Sequence, residues 1–318
     1  MKKVIFLLLA VISVNIISCK KSETSPAIQA PIGNPNYQST SGPYGSLRSI
    51  YNSLCPTPTI ITIDPDTSSI LYGKSASYSI PSFCFLTQDG TLARDSVQIE
   101  INEFLRKGDI LFSGVLPAED GNPLLSSGEV YINATKNGEK LIIGPSGFPL
   151  MLSFPRLEGI HNDGMSIFQG YPYPSANGIL NWVVADKNQT SINIYSSGFN
   201  QFFTDTLGYF SMSKPIDNAD FQDFILKISG VTIPGDSSIG AYAIYDDYRS
   251  VWAMNNIKDS TIHEKQVAKL PVHFVVFTVV NGYFYGGITA ATPSTGATYT
   301  VNLLQTDPVK FKATLDSL

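Results

Sequence analysis

Short stretches of alternating apolar and polar residues, separated by turn-forming pairs, restrict the fold of this chain more than any other feature. Between residues 96 and 104 the alternation is clear, and Glu103 breaks the apolar face at its end. Successive side chains of a β-strand point to opposite faces, so this stretch is predicted to be a half-exposed antiparallel strand. Its two faces would carry Val97, Ile99, Ile101 and Glu103 on one side and Gln98, Glu100 and Asn102 on the other.

Further short strands are predicted along both halves of the chain, and many short strands joined by turns are typical of sandwiches. We expect an all-β chain of two, or three, antiparallel β-sandwich-like domains with a disordered N-terminal tether and a short C-terminal helix. The pairs that favour tight turns are Asp89-Gly90, Asp120-Gly121, Asn137-Gly138 and Asn281-Gly282. Besides 96–104, the predicted strands are 110–115, 129–134, 140–143, 150–154, 179–185, 191–196, 208–213, 224–231, 240–245, 251–255, 272–280, 283–290 and 298–303.

Clustered proline and glycine between residues 155 and 178 predict a domain boundary. The first β-sandwich-like domain is expected at 59–158 and the second at 175–318. Asp307 and Pro308 favour the start of a C-terminal helix, because Asp can cap a helix and Pro fits its first turn. A second short helix is predicted before the first domain, from apolar residues at helical spacing: Leu47, Ile50, Tyr51 and Leu54.

The first twenty residues have the layout of an export signal. Lys2 and Lys3 precede an apolar run over residues 4–17, which Ser18 and Cys19 follow. As a helix this run would be about 21 Å long, too short for a hydrocarbon core of about 30 Å. A basic start, a short apolar run and a small residue before the cleavage point are typical of a signal peptide.

The sequence Ile16-Ile17-Ser18-Cys19 resembles the lipobox of bacterial lipoproteins, in the form found in Bacteroidetes. The resemblance implies a signal peptide at 1–18, cleavage before Cys19, and acylation of Cys19 with lipid such as palmitate. Residues 19–58 then form the lipidated cysteine and a Pro/Ser-rich tether, whose early part has too few large apolar side chains to fold alone. We expect an anchor in the cell outer membrane, and the sequence leaves open whether the protein faces the periplasm or the cell surface. An ordinary secretory signal with a coincidental cysteine is the alternative.

Several motifs lie between residues 70 and 144: Asp89-Gly90, the strand ending in Glu103, Asp109-Ile110-Leu111, Leu125-Ser126-Ser127-Gly128 and Asn137-Gly138-Glu139. With these motifs the segment resembles a β domain that recurs in Bacteroidetes envelope proteins of unknown function. The resemblance implies kinship and carries no known activity.

Charge and cysteine content bear on partners and on cross-links. The chain has 21 basic and 26 acidic residues and a net charge of −5, with no cluster of Lys and Arg. Because nucleic-acid binding needs a basic footprint, we expect no nucleic-acid partner. The expected partners are the membrane, through the lipid on Cys19, and envelope proteins or glycans. Cys55 and Cys84 are predicted either to form a disulfide in an oxidising compartment or to be two buried free thiols.

Motifs for catalysis are not evident. His161, His263 and His273 lack the i, i+4 pairing of a zinc helix, and we expect no metal site, cofactor or catalytic residues. No Gly-x-Ser-x-Gly elbow or phosphate-binding glycine loop is present. Two facing carboxylates could still support glycoside hydrolysis, so an enzymatic role stays open as the less favoured interpretation.

An aromatic and charged run near residue 245 is the strongest candidate for a ligand site. Flat rings can stack on sugar faces while carboxylate and guanidinium groups bind hydroxyls. The competing interpretation is core packing, which alternating aromatic residues in strands usually serve. We favour a non-catalytic lipid-anchored envelope protein in binding or assembly, with a surface glycan-binding module or glycan-active enzyme as alternative. The run comprises Tyr245, Asp246, Asp247, Tyr248, Arg249 and Trp252.

Overall fold

The computed structural model describes residues 43–144, 149–155, 164–172, 180–186, 190–194, 199–216, 220–233 and 239–318. The predicted signal peptide, Cys19, the part of the tether before residue 43 and His161 lie outside these ranges. Strands dominate the described residues and the helices are short, which confirms the predicted all-β fold. None of the helices in these ranges is both long and apolar enough to cross a membrane.

Two sheets form the first sandwich. In the first sheet the order is β1-β5-β7-β15-β11-β12, with β6 and β8 also paired to β7. In the second sheet the order is β13-β14-β10-β3-β2, and β4 pairs with β9 in a separate small ladder. The strands of the first sheet are β1 (Thr59–Ile63), β5 (Val97–Phe104), β6 (Ala118–Glu119), β7 (Asn122–Lys136), β8 (Glu139–Lys140), β11 (Ser166–Pro172), β12 (Leu180–Val184) and β15 (Gly208–Pro215). The others are β2 (Ser69–Tyr72), β3 (Ser77–Ile80), β4 (Phe85–Leu86), β9 (Ile142–Ile143), β10 (Leu150–Pro155), β13 (Thr190–Ile194) and β14 (Phe199–Thr204).

Two further sheets form the second sandwich. The third sheet has the order β19-β20-β16-β23, in which β16 and β23 run parallel, and the fourth has the order β18-β17-β21-β22-β24. The third sheet contains β16 (Phe221–Ser229), β19 (Ile257–Lys258), β20 (Thr261–Ala268) and β23 (Thr298–Asn302). The fourth contains β17 (Ile239–Tyr245), β18 (Val251–Ala253), β21 (Val272–Val280), β22 (Tyr283–Ala291) and β24 (Leu304–Gln305).

The described residues form three short helices: α1 (Leu47–Leu54), α2 (Lys107–Ser113) and α3 (Pro308–Asp316). The two predicted helices are confirmed: Ser46 caps α1, and the Asp307 carboxylate accepts backbone hydrogen bonds at the start of α3. The predicted strand 110–115 is wrong, because most of it belongs to α2. That helix ends at Gly114 in a left-handed conformation with φ 72°, a common way to terminate a helix.

The layers are stacked in the order second sheet, first sheet, helices, fourth sheet, third sheet. One apolar core fills each sandwich, and another lies between the first and fourth sheets, where the helices pack. In this middle layer the Tyr51 ring of α1 lies 5.6 Å from Phe112 of α2 and 5.8 Å from Phe277 of β21. The first sheet is therefore covered on both faces, and of the polar face predicted for β5 only Gln98 is exposed.

The sheet order corrects the predicted domain boundary. Strands β11 to β15, which span residues 166–215, pair within the first two sheets, and the chain enters the second sandwich only at β16. The boundary predicted at 155–178 is misplaced because these strands return to pair with much earlier ones, as Tyr209 does opposite Tyr131. Helix α1, assigned to the tether from sequence, is also part of the folded body.

Candidate functional site

The run predicted to bind a glycan forms the turn between β17 and β18 with the adjoining strand ends, and it is not an open aromatic platform. Tyr245 is fully buried, and its hydroxyl accepts a hydrogen bond of 3.1 Å from Ala268 N. Trp252 is half-buried against the core of the second sandwich. Asp247 is the one exposed member of the run. The stacking prediction is therefore wrong here, because layers cover both faces of the fourth sheet.

Tyr248 lies at the contact between the two sandwiches. Its half-buried ring packs against the cores of both. The ammonium group of Lys214, on β15, lies 5.5 Å from the ring centroid, within range of a cation–π interaction. One face of the Tyr248 ring is therefore occupied by Lys214.

Arg249 extends from the second sandwich into the first. Its Nη1 atom donates hydrogen bonds to the carbonyl oxygens of Ser127, at 2.6 Å, and Pro155, at 2.9 Å. Its backbone N–H donates to the Ser126 carbonyl oxygen at 2.8 Å, and the Ser250 hydroxyl accepts from Ser126 N. The side chain is 7% exposed, so its charge is held almost entirely by protein groups. Arg249 therefore acts as a buried tie between the sandwiches.

A β-bulge in β7 makes room for this arginine. Glu129 is opposite Ser211 and Ser126 is opposite Ser213, so β7 has one extra residue between these pairs. Gly128 lies in the bulge at φ 135°, and a Cβ there would be 3.3 Å from Arg249 Cδ and 2.6 Å from the Leu105 side chain. The Leu125-Ser126-Ser127-Gly128 segment singled out in the sequence thus has a structural purpose at the junction.

Buried hydroxyl groups form a chain beside the bulge. The Ser211 Oγ atom lies 3.1 Å from Ser126 Oγ and 2.6 Å from Ser213 Oγ, and it donates to Glu129 Oε1 at 3.4 Å. On the other face of β7, Asn200 Nδ2 donates to Ser127 Oγ at 2.8 Å. Buried polar groups must find such partners because the interior offers no bulk water.

Glu129 and Arg249 are the charged members of this buried network. Both Glu129 Oε2 and Arg249 Nε are buried without a hydrogen-bond partner. Burial raises the pKa of Glu129 to about 8, a shift that the hydrogen bond to Ser126 and the charge of Arg249 reduce. Burial also lowers the pKa of Arg249 to about 10, against the opposing effect of Glu129. A fully buried carboxyl group with a perturbed pKa is a candidate for a functional role.

Asp246 takes part in a second polar contact at the junction. Its backbone oxygen accepts a hydrogen bond of 2.7 Å from Lys107 Nζ of α2, which also donates to the Leu318 backbone oxygen at 3.0 Å. The Asp246 carboxylate lies 2.6 Å from His273 Nδ1. Burial lowers the pKa of Lys107 to about 8, while Asp246 and Asp247 oppose this shift. Asp246 therefore contacts α2 and β21, and Lys107 joins it to the C-terminal residue after α3.

An open groove of about 410 Å³ lies at one end of the first sandwich, remote in sequence from the predicted run. Tyr131 and Ile142 contribute apolar surface to it. Two of its hydrogen bonds join Gln169 Nε2 to Thr206 Oγ1, at 3.3 Å, and Gln88 Nε2 to the Lys140 carbonyl, at 3.0 Å. The polar groups of its wall are those of Gln88, Asn133, Lys140, Gln169, Asp205 and Thr206.

The predicted disulfide between Cys55 and Cys84 is wrong, since Cys84 is a free thiol. Cys84 lies in the core of the first sandwich, whereas Cys55 follows α1 on the opposite side of the first sheet. Burial raises the pKa of the Cys84 thiol to about 11, which disfavours the reactive thiolate. Among the described residues, no group of three or more His, Cys, Asp or Glu side chains is placed to hold a metal ion.

Sequence reasoning missed most of the junction network. The polar triplet Ser126-Ser127-Gly128 and Glu129 interrupt an otherwise apolar strand, and this interruption was the available signal. Nothing local indicated Arg249 as the partner, because 122 residues separate it from Ser127. Neither a protein-family model nor a curated protein matches this chain.

Proposed function

We propose that this chain is a non-catalytic lipoprotein of the cell envelope, held in the outer membrane by lipid on Cys19 and serving in binding or assembly. The anchor is supported by the basic start, the apolar run over 4–17 and the Ser18-Cys19 pair. Several acyl chains together give stable membrane attachment, whereas one chain alone binds only marginally.

The observation that carries the binding or assembly role is the junction between the sandwiches. The apolar layer between the first and fourth sheets is continuous, and Arg249 joins the two sandwiches through hydrogen bonds to the Ser127 and Pro155 carbonyl oxygens. A body built in this way resists relative motion of its halves. On a tether, such a body suits the task of holding a partner at a fixed orientation near the membrane.

Membrane attachment is tested by replacing the cysteine in full-length protein expressed in a Gram-negative host. We expect wild type to label with palmitate and to enter the detergent phase on Triton X-114 partitioning. Cys19→Ser should lose the label and enter the aqueous phase, while the neighbouring Ser22→Ala variant should behave as wild type. A Cys19→Ser protein that remained in the membrane fraction would reject the anchor.

Glycan binding is a second candidate function, and the groove at the end of the first sandwich favours it. Its wall offers amide, hydroxyl, ammonium and carboxylate groups beside Tyr131 and Ile142. Sugar hydroxyls both donate and accept hydrogen bonds, so a wall with both kinds of group fits them. This candidate replaces the run at Tyr245, whose rings are used in packing.

Calorimetric titration of the full chain against a broad polysaccharide panel tests the groove. A double variant, Asn133→Ala with Gln169→Ala, should weaken binding at least about tenfold, since each such hydrogen bond contributes about 1 kcal/mol. Asp247→Asn, an exposed change at the β17–β18 turn, should leave binding unchanged. If no glycan of the panel binds, the glycan candidate is rejected and the binding or assembly role is left to protein partners.

A further inference from the structure

We propose that protonation of Glu129 sets how firmly Arg249 holds the two sandwiches together, so that the junction is tight when this carboxyl group is neutral and loosens when it is ionised. Glu129 is fully buried and Arg249 is 7% exposed, so neither group can be solvated in place. The proposal goes beyond the binding or assembly role and would hold for any partner.

Arg249 donates to two carbonyl oxygens, and its charge also interacts with the Glu129 carboxyl group. The Nη1 atom of Arg249 donates hydrogen bonds to the carbonyl oxygens of Ser127 and Pro155, while its Nε atom has no hydrogen-bond partner. The Glu129 Oε2 atom is also buried without a partner. When Glu129 is neutral, the guanidinium can stay on the two carbonyls. When it is ionised, its charge attracts the guanidinium, and a buried charge without a partner is costly.

Arg249 cannot serve both the two carbonyl oxygens and an ionised Glu129 without movement. The guanidinium is planar and rigid, so turning Nε toward Glu129 Oε2 displaces Nη1 from its carbonyls. The side chain lies against Gly128, where even a Cβ would be 3.3 Å from Arg249 Cδ, so there is little room to adjust. We therefore expect movement of the β17–β18 turn, which also releases the hydrogen bond from Arg249 N to the Ser126 carbonyl.

No other charged side chain on the flanking elements competes for Glu129 among the described residues. The adjacent strands place Phe104 of β5 and Ser211 of β15 opposite it. Lys107 of α2 interacts electrostatically with Asp246, Asp247 and Arg249. Burial raises the pKa of Glu129 to about 8, so its change in protonation would fall within a pH range that an envelope protein can encounter.

Amide hydrogen exchange between pH 6 and pH 9, corrected for the intrinsic chemical rate, tests the proposal on the full chain. In wild type we expect peptides covering 124–130 and 245–252 to exchange at least about tenfold faster at pH 9. Peptides within β21 should not change. Glu129→Gln, which keeps a neutral side chain of similar size, should abolish the acceleration. Glu139→Gln, an exposed carboxyl change on β8, should retain it.

Two results would overturn the proposal: equal exchange of the junction peptides at both pH values in wild type, or the same acceleration in Glu129→Gln. If Glu129→Gln does not fold, a direct titration decides. NMR of the Glu129 carboxyl carbon in wild type should give a midpoint near 8 with a parallel shift of the Arg249 amide. A midpoint near the ordinary pKa of 4.5 rejects the mechanism, and so does an Arg249 amide whose chemical shift does not change with the titration.

Discussion

The Glu103 carboxylate accepts a hydrogen bond of 2.8 Å from the backbone N–H of Ser75, in a loop 28 residues earlier in the chain. Its other oxygen accepts from Ala76 N at 3.1 Å and from the Tyr78 hydroxyl at 3.2 Å. A Cβ on Gly73 would collide with the same carboxylate. Glu103, at the polar end of the predicted strand, is thus a buried cap for the loop between β2 and β3.

Glu103→Ala should lower the free energy of unfolding by about 2–4 kcal/mol, because two backbone N–H groups, that of Ala76 buried and that of Ser75 partly buried, lose a charged acceptor. Tyr78→Phe, which removes one hydroxyl from the same site, should cost only about 1 kcal/mol. Urea denaturation followed by circular dichroism measures both changes. Gln98→Ala, an exposed change on the same strand, serves as the control. A Glu103→Ala protein as stable as this control would contradict the capping role.

Arg249→Met should destabilise the protein by about 3–5 kcal/mol, because two carbonyl oxygens each lose a hydrogen bond to a charged donor, worth about 1.5–3 kcal/mol. The methionine can fill part of the volume but leaves the Ser127 and Pro155 carbonyl oxygens without their donor. Differential scanning calorimetry should show a lower unfolding temperature for this variant. Asp247→Asn, two residues away and exposed, should leave the unfolding temperature unchanged. Equal unfolding temperatures for the two variants would mean that Arg249 does not tie the sandwiches together.

Glu129 should make stability fall as the pH rises. Its pKa is raised from 4.5 to about 8 in the folded protein, so the folded state holds a proton that the unfolded state releases. The resulting stabilisation is complete below pH 4.5 and is lost as the pH rises through 8, by about 5 kcal/mol at most. Urea midpoints at several pH values should therefore fall more steeply in wild type than in Glu129→Gln. Parallel curves would show that the carboxyl group titrates normally.

Local elements were predictable from the sequence because their signals lie within a few residues. Asn281-Gly282 predicted a hairpin and forms one, with φ values of 51° and 79° between paired Val280 and Tyr283. Asp307 likewise predicted the start of α3. Helix α2 was missed because a short apolar run fits a strand or a buried helix equally well.

The junction was not predictable because its signals lie far apart in the chain. Alternating aromatic residues at Tyr245 and beyond look the same whether the second face of a sheet meets solvent or another layer. Here it meets the helices and the first sheet. The pairing of β15 with β7 joins segments separated by the whole stretch assigned to a boundary. Such contacts depend on the order of strands in a sheet, which local patterns do not encode.

Cys84 should resist alkylation in the folded protein. The thiol is buried and its pKa is raised to about 11, so little thiolate exists at pH 8 and reagent cannot reach it. We expect iodoacetamide to label Cys84 at least about a hundredfold more slowly in native than in urea-unfolded protein, because the difference between the two labelling rates reflects protection by folding. Mass spectrometry of the Cys84 peptide measures both rates. Rapid labelling in the native state would place this thiol outside the core.

Gly282→Ala should lower the free energy of unfolding by about 1–2 kcal/mol, because its φ of 79° lies where a Cβ meets the following carbonyl oxygen. The turn connects β21 and β22, and the Gly282 carbonyl oxygen also accepts from Tyr44 N before α1. Strain here should therefore loosen both the hairpin and the start of the folded body. Gly45→Ala is the matched control, since a Cβ there meets no atom within 4 Å, and its urea midpoint should equal that of wild type. A Gly282→Ala midpoint equal to that of Gly45→Ala would mean that the hairpin tolerates another turn, and that the Asn-Gly pair does not set the pairing of β21 with β22.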